Sequence, residues 1–193
     1  NKGLPPFSRM DIWDYDSVQA IWIARKLRDE GKLLDGRNLS KQPVYHIGAA
    51  ASPCASKPKY EAIRTEKKMN AGAQFFQTNL IFDINSFTEY LNALEQRNLL
   101  NRIHLIAGVA PIRSLRAANF LSKLPGIQIP DEVIHRLATS KDVKREGFQL
   151  CLELISNIKT FPGVQGIHFM ALRGFSDLKK LISETDLKKS IPQ

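Results

Sequence analysis

Residues 67–83, KKMNAGAQFFQTNLIFD, decide how this chain is read. The stretch leaves a helical pattern at Lys67-Lys68, turns on Asn70-Ala71-Gly72-Ala73, then runs largely apolar to Phe82. An apolar run bounded by turn residues reads as a strand buried on both faces, the kind that parallel sheets contain. Gln77, Thr78 and Asn79 interrupt it with amide and hydroxyl groups near its C-terminal end. Buried polar side chains need partners, in the protein or in a ligand. In α/β folds the exits of parallel strands are where ligands bind.

The same alternation extends on both sides. A helix is expected after Asp16-Ser17, with Val18, Ile21, Ala24 and Leu27 on one face and a stop at Gly31. Strands are expected over 44–51, 73–82, 103–109 and 166–172. Helices are expected over 57–70, 86–97, 114–123, from Pro130-Asp131 onward, over 142–160 and over 176–184. About four strands separated by helices imply an α/β fold with a parallel sheet. No G-x-G-x-x-G follows any strand, so the dinucleotide fingerprint is absent.

The chain has 193 residues, 43% hydrophobic and 24% charged, which suits one globular domain over 1–193. No apolar run approaches the roughly 20 residues of a membrane span. No secretory leader is visible, and the first residue is Asn1, so a cytoplasmic piece of a longer product is expected. Cys54 and Cys151 lack metal-ligand spacing and read as reduced thiols. The formal charge is +9, but the cations are scattered and do not interleave with aromatics, so nucleic acid is not expected as a partner. The charge reads first as a solvated face. Attraction of a phosphate-bearing cofactor or a polyglutamate tail is the alternative.

Several constellations remain open at this level. His46, His104 and His168 are expected near strand starts, where barrels keep stability residues, so no metal is assigned to them. Ser52-Pro53-Cys54 lies at the first strand's exit and suits ligand contact, while Cys54 has no identifiable base to activate it. Glu61, Arg64, Lys67 and Lys68 share a helix, as a surface ion-pair network or as an anion clamp. Trp13, Asp14 and Tyr15 precede the first helix, as a cap or as a holder for a ring and a ribose.

Together the pieces resemble the methylenetetrahydrofolate reductase family, and the marks run through almost the whole chain. WDYDSVQAI resembles the stretch after the family's fourth strand, IGAAASP its fifth strand, and KKMNAGAQFFQTNLIFD its K-x-x-A-G-A-x-F-x-x-T-Q segment. AGVAPIRSLRAANFLSKLPGIQIP resembles the seventh strand with its helix, and GIHFMAL the eighth. The resemblance implies a partial (β/α)8 barrel, the C-terminal half of a flavin-dependent enzyme. It also implies reduction of methylenetetrahydrofolate to methyltetrahydrofolate by NADH or NADPH, through FAD or, alternatively, FMN.

Carried over residue by residue, it places Trp13, Asp14, Ser52, Pro53, Glu61, Arg64, Lys67 and Lys68 on the flavin. Thr78, Asn79 and Leu121 fall on the folate side. Asn79 stands where the family usually has Gln, Ala117 where some members have a polar folate contact, and Gly174 where some have Arg. The family's general acid, a Glu of the first strand, has no counterpart here, so no catalytic residue is expected within the chain. The implied partners are folate and an N-terminal barrel half or partner subunit, in a homo- or hetero-oligomer. A non-catalytic barrel-like subunit or fragment that binds a partner protein is the competing expectation.

Overall fold

The computed structural model describes residues 15–55, 57–170 and 176–185. In chain order the elements are α1 (Ser17–Glu30), β1 (Gly48–Ala51), α2 (Pro58–Ala71), β2 (Phe75–Leu80), α3 (Ile84–Glu95) and β3 (His104–Val109). Then come α4 (Leu115–Leu121), α5 (Asp131–Thr139), α6 (Val143–Ile158), β4 (Val164–Phe169) and α7 (Ser176–Glu184). Local chemistry sets many of these boundaries. The Asp16 carboxylate accepts from the N–H groups of Val18 and Gln19, and Gln19 Oε1 accepts from Asp16 N. This capping box satisfies donors that have no partner inside α1. The Asp83, Ser114 and Asp142 side chains likewise accept first-turn N–H groups of α3, α4 and α6. α2 opens on Pro58, where a missing N–H costs nothing.

The strands form one sheet in the order β1-β2-β3-β4, and every neighbouring pair is parallel. Strand order that follows chain order describes an arc of a barrel, whereas a doubly wound sheet reverses at a switch point. One face carries Ala51, Phe76, Leu105, Ala107 and Val109 into the main core. Phe87, Tyr90 and Leu94 of α3 and Cys151, Leu154, Ile155 and Ile158 of α6 complete that core. On the other face Gly48, Ala50 and Gln77 are exposed. A second, smaller cluster joins the strand exits at Leu80 and Ala110 to Ala118 and Leu121 of α4 and Leu137 of α5.

Three boundaries differ from the sequence expectation. β1 is only four residues long, and Val44 ahead of it is 98% exposed. Apolar character alone did not make residues 44–47 a strand, because they have no ladder partner beyond the Ile47 carbonyl, which accepts from Gln74 N at 2.8 Å. β2 keeps only the middle six residues of its apolar run. β4 begins at Val164, two residues early, which moves His168 from a strand start to near a strand exit. Positions 171 and 172 of the expected strand lie outside the described residues.

Both outer ladders of β3 contain a register shift. On one side Gln77 faces Ile106 but Leu80 faces Gly108, so one extra residue sits in β2. On the other side Leu105 faces Val164 and Ile106 faces Gly166, so the extra residue is Gln165 of β4. Such bulges leave a main-chain group without its ladder bond. A side chain fills each gap: Thr78 Oγ1 accepts from Gly108 N at 2.8 Å, and Gln165 Oε1 accepts from Leu105 N at 2.7 Å.

Candidate functional site

The β2 bulge shapes the exit end of the sheet. Thr78 is 4% exposed; its hydroxyl accepts from Gly108 N and donates to the Asn79 carbonyl at 2.7 Å. Its polar atoms are thus engaged inside the sheet. Asn79, the next residue, is half-buried and turns its amide across to β1, where Nδ2 donates to Ser52 Oγ at 3.0 Å. Ser52 itself begins a tight turn, with Ala55 N donating to the Ser52 carbonyl at 3.0 Å. The connector between α4 and α5 then folds over this pair. Gly126 takes φ +76°, and a Cβ there would lie 3.1 Å from Asn79 Nδ2 and 3.2 Å from Ser52 Oγ. Leu124, Ile127 and Ile129 anchor the same connector on the second core cluster.

Pro53 and Cys54 behind Ser52 are both buried. Burial, with the nearby Asp83 carboxylate adding to it, pushes the Cys54 thiol up to about 12. Burial does the same to Cys151. Neither thiol is a thiolate at neutral pH, so neither is a nucleophile. Among the described residues no group of three His, Cys, Asp or Glu could hold a metal. Nor is any helix there long and apolar enough to cross a membrane. His168 Nδ1 is buried with no hydrogen-bond partner.

On α2 the four expected anion-clamp residues divide. Glu61 and Lys68 are each 8% exposed, while Arg64 and Lys67 reach solvent. Arg64 Nη1 pairs with Glu61 Oε1 at 2.9 Å and keeps a side chain 58% exposed. Lys68 Nζ donates to the Ala50 carbonyl at 2.6 Å. The Ile47 carbonyl points toward β2, so by alternation the Ala50 carbonyl points to the edge of β1 that has no described partner. Burial pulls the Lys68 ammonium below its ordinary pKa; Arg64 adds to this and Glu61 opposes it.

The structure therefore brings Ser52, Thr78 and Asn79 together at the β1–β2 exit, with Glu61, Arg64 and Lys68 on the helix between those strands. Trp13 and Asp14 lie outside the described residues, as does Gly174. Leu121 is wholly buried in the second cluster, whereas its neighbour Phe120 is 60% exposed on α4. The pairing of Asn79 with Ser52 and the cover given by Gly126 carry no sequence signal beyond a Pro-Gly turn. A separate cavity of about 310 Å³ lies between α5, α6 and the exits of β2 and β3. Phe82, Ile112 and Leu150 are among its lining residues, and none of the residues expected on flavin or folate lines it.

An open arc of parallel strands in chain order, alternating with helices, defines an α/β protein of the β/α-barrel kind. The methylenetetrahydrofolate reductase family pattern matches residues 37–185, and this chain belongs to that family. Methylenetetrahydrofolate reductase 2 of Schizosaccharomyces pombe is 22% identical over 182 residues, 89% of this chain and 28% of that protein. A probable methylenetetrahydrofolate reductase (NADPH) of Caenorhabditis elegans is 22% identical over 96% of this chain and 27% of its own length. The chain thus spans between a quarter and a third of these relatives. A similar solved fold is that of a Clostridium thermocellum protein that binds two copies of 5-methyl-5,6,7,8-tetrahydrofolic acid. Its TM-score is 0.57 at 19% identity, over 75% of this chain and 53% of that one.

Proposed function

We propose that this chain forms the folate-facing half of a flavin-dependent methylenetetrahydrofolate reductase, which reduces methylenetetrahydrofolate to methyltetrahydrofolate with NADH or NADPH. The observation that carries this reading is the β1–β2 exit, where a half-buried amide is held at the open end of a parallel sheet in a chain of this family. The family generally uses FAD and a nicotinamide nucleotide. The residues present fit a dinucleotide in charge. Arg64 and Lys67 offer solvent-reaching cations to a phosphate, Arg as a fork and Lys as a point charge. The Phe75 ring fills the space above Gly48, and the small Ala50 beside it is exposed.

In this reading Ser52 and Pro53 shape the side of the pocket next to the flavin ring, and Trp13 and Asp14 are its contacts from ahead of α1. Glu61 holds Arg64 toward the phosphate, and Lys68 neutralises charge at the β1 edge. Asn79 binds and orients the pterin. Thr78 supports it by fixing the bulge, and Phe120, beside the buried Leu121, is the side chain of that pair able to meet a ligand. Bound flavin supplies the hydride chemistry, and the chain's own residues orient the partners. The family's general acid comes from an N-terminal barrel half, in the same longer product or in a partner subunit. The buried thiols Cys54 and Cys151 support a reducing, cytoplasmic setting.

The test measures folate affinity and flavin occupancy with the N-terminal half supplied. Asn79→Ala should weaken folate binding by about 5- to 150-fold, the cost of a lost hydrogen bond in a water-poor site. Asn79→Gln should preserve it, and flavin content should not change in either. Loss of flavin with folate affinity intact would move Asn79 to the other ligand.

A further inference from the structure

We propose that the cavity between α5 and α6 is a second ligand site, and that it takes a small organic cation, an ammonium group on an apolar body the size of one ring. Such a site is independent of the folate reading, since none of the residues expected on flavin or folate lines it. The cavity measures about 310 Å³, at the small end of the range for small-molecule pockets. At the roughly 30 Å³ that a water molecule occupies in the liquid, there is room for about ten non-hydrogen atoms. The walls are apolar: Phe82 and Ile112 come from just beyond the strand exits, Val133 from α5, and Leu150 and Leu154 from α6. Glu132, Arg136, Glu153 and Asn157 bring polar groups to the same cavity, and all but Glu153 are exposed, which places them at its mouth.

Two fastenings set the spacing of the walls. α6 meets the connector after β3 through its backbone: a Cβ on Gly147 would stand 1.7 Å from the Ile112 carbonyl oxygen, so no side chain fits between them. α5 is tied to α6 by Arg136, which reaches Glu146 Oε1 at 2.6 Å and Glu153 Oε2 at 2.8 Å. Leu150 and Leu154 of α6 face the space left between these points, which is therefore present before a ligand arrives. The same ion pairs set the sign of the mouth. The Arg136 guanidinium is engaged by two carboxylates, and an anion would have to displace one of them. Glu132 lies one helical turn before Arg136, but Arg136 turns to α6 instead. Glu132 is left with no hydrogen bond or ion pair to any described residue. With Glu146 included, three carboxylates stand against one guanidinium there. An ammonium at Glu132 would gain a charge-assisted hydrogen bond, while its apolar body exchanged water for the cavity wall. A neutral molecule of the same shape would gain only the second.

The test is an NMR titration of the 15N-labelled full chain with 2-phenylethylammonium chloride. The amides of Ile112, Leu150 and Leu154 should shift together and saturate, with a Kd of about 1 mM or tighter. The neutral 2-phenylethanol should bind about tenfold more weakly, and phenylacetate should leave these amides unmoved. Glu132→Gln, at an exposed position that tolerates the change, should weaken the ammonium by about tenfold and leave the alcohol unaffected. Leu150→Trp, which fills the cavity, should abolish binding of both. Shifts that never saturate, equal affinity for the ammonium and the alcohol, or a Glu132→Gln chain that binds the ammonium as tightly as the parent would each overturn the assignment. Displacement of the probe by 5-methyltetrahydrofolate would overturn it as well, by moving the probe to the strand exits.

Discussion

The two bulges beside β3 solve one problem with opposite consequences. In each, an extra residue breaks the ladder and a polar side chain replaces the lost bond, Thr78 for Gly108 N and Gln165 for Leu105 N. The Thr78 bulge sits at the exit end and is buried; the Gln165 bulge sits at the start of β4 and its side chain is exposed. Only the first turns the following residue toward a neighbouring strand, Asn79 toward Ser52. In barrels the exit end carries chemistry and the opposite end carries stability. The same local device thus lies at the end where barrels carry chemistry in one case and at the opposite end in the other.

That contrast can be broken by substitution. Thr78→Val keeps the shape but removes the partner of a buried N–H, which should lower unfolding stability by about 2–3 kcal/mol in urea titrations. Thr78→Ser should recover most of it. A loss no larger than the one at Gln165 would erase the distinction. Gly126→Ala should cost about 1–2 kcal/mol, because alanine at positive φ is strained and its methyl meets Asn79 and Ser52. This substitution sharpens the comparison by loading strain onto the exit end alone. Gln165→Ala should cost about 0.5–1 kcal/mol, since water reaches that exposed position and can replace the lost acceptor.

Much of the architecture was legible in the sequence because it is written in periodicity and caps. The apolar stripes and the cap at Asp16 marked helices, the four apolar runs marked the four strands, and the chain order became the sheet order. The bulges were not legible. Whether Thr78 turns to a ligand or closes a ladder gap depends on the register of β2 against β3, which no local pattern encodes. Gln77, Thr78 and Asn79 look equivalent as a polar triplet, yet they are respectively exposed, engaged in the sheet, and aimed at Ser52. His168 was misplaced for a related reason, because the extra residue at Gln165 lengthens β4 at its start. Arg64, Lys67 and Lys68 were legible as a cationic group, but not the capture of Lys68 by the Ala50 carbonyl, which needs an unpaired strand edge.

Strand order that copies chain order also bears on how the chain folds. Among the described residues each strand pairs only with its predecessor and successor, so a β-α-β unit can dock as it forms without waiting for a distant partner. The steps are unequal. Gly48 meets Phe75 and Phe75 meets His104 across similar loops, whereas Leu105 meets Val164 across one about twice as long. Doubling a loop adds only about 0.6 kcal/mol of closure entropy, but three helices must also find their places before β4 can join. The β3–β4 pairing is then expected to form last, and the connector that carries Gly126 over Asn79 belongs to the long segment that must settle before it does.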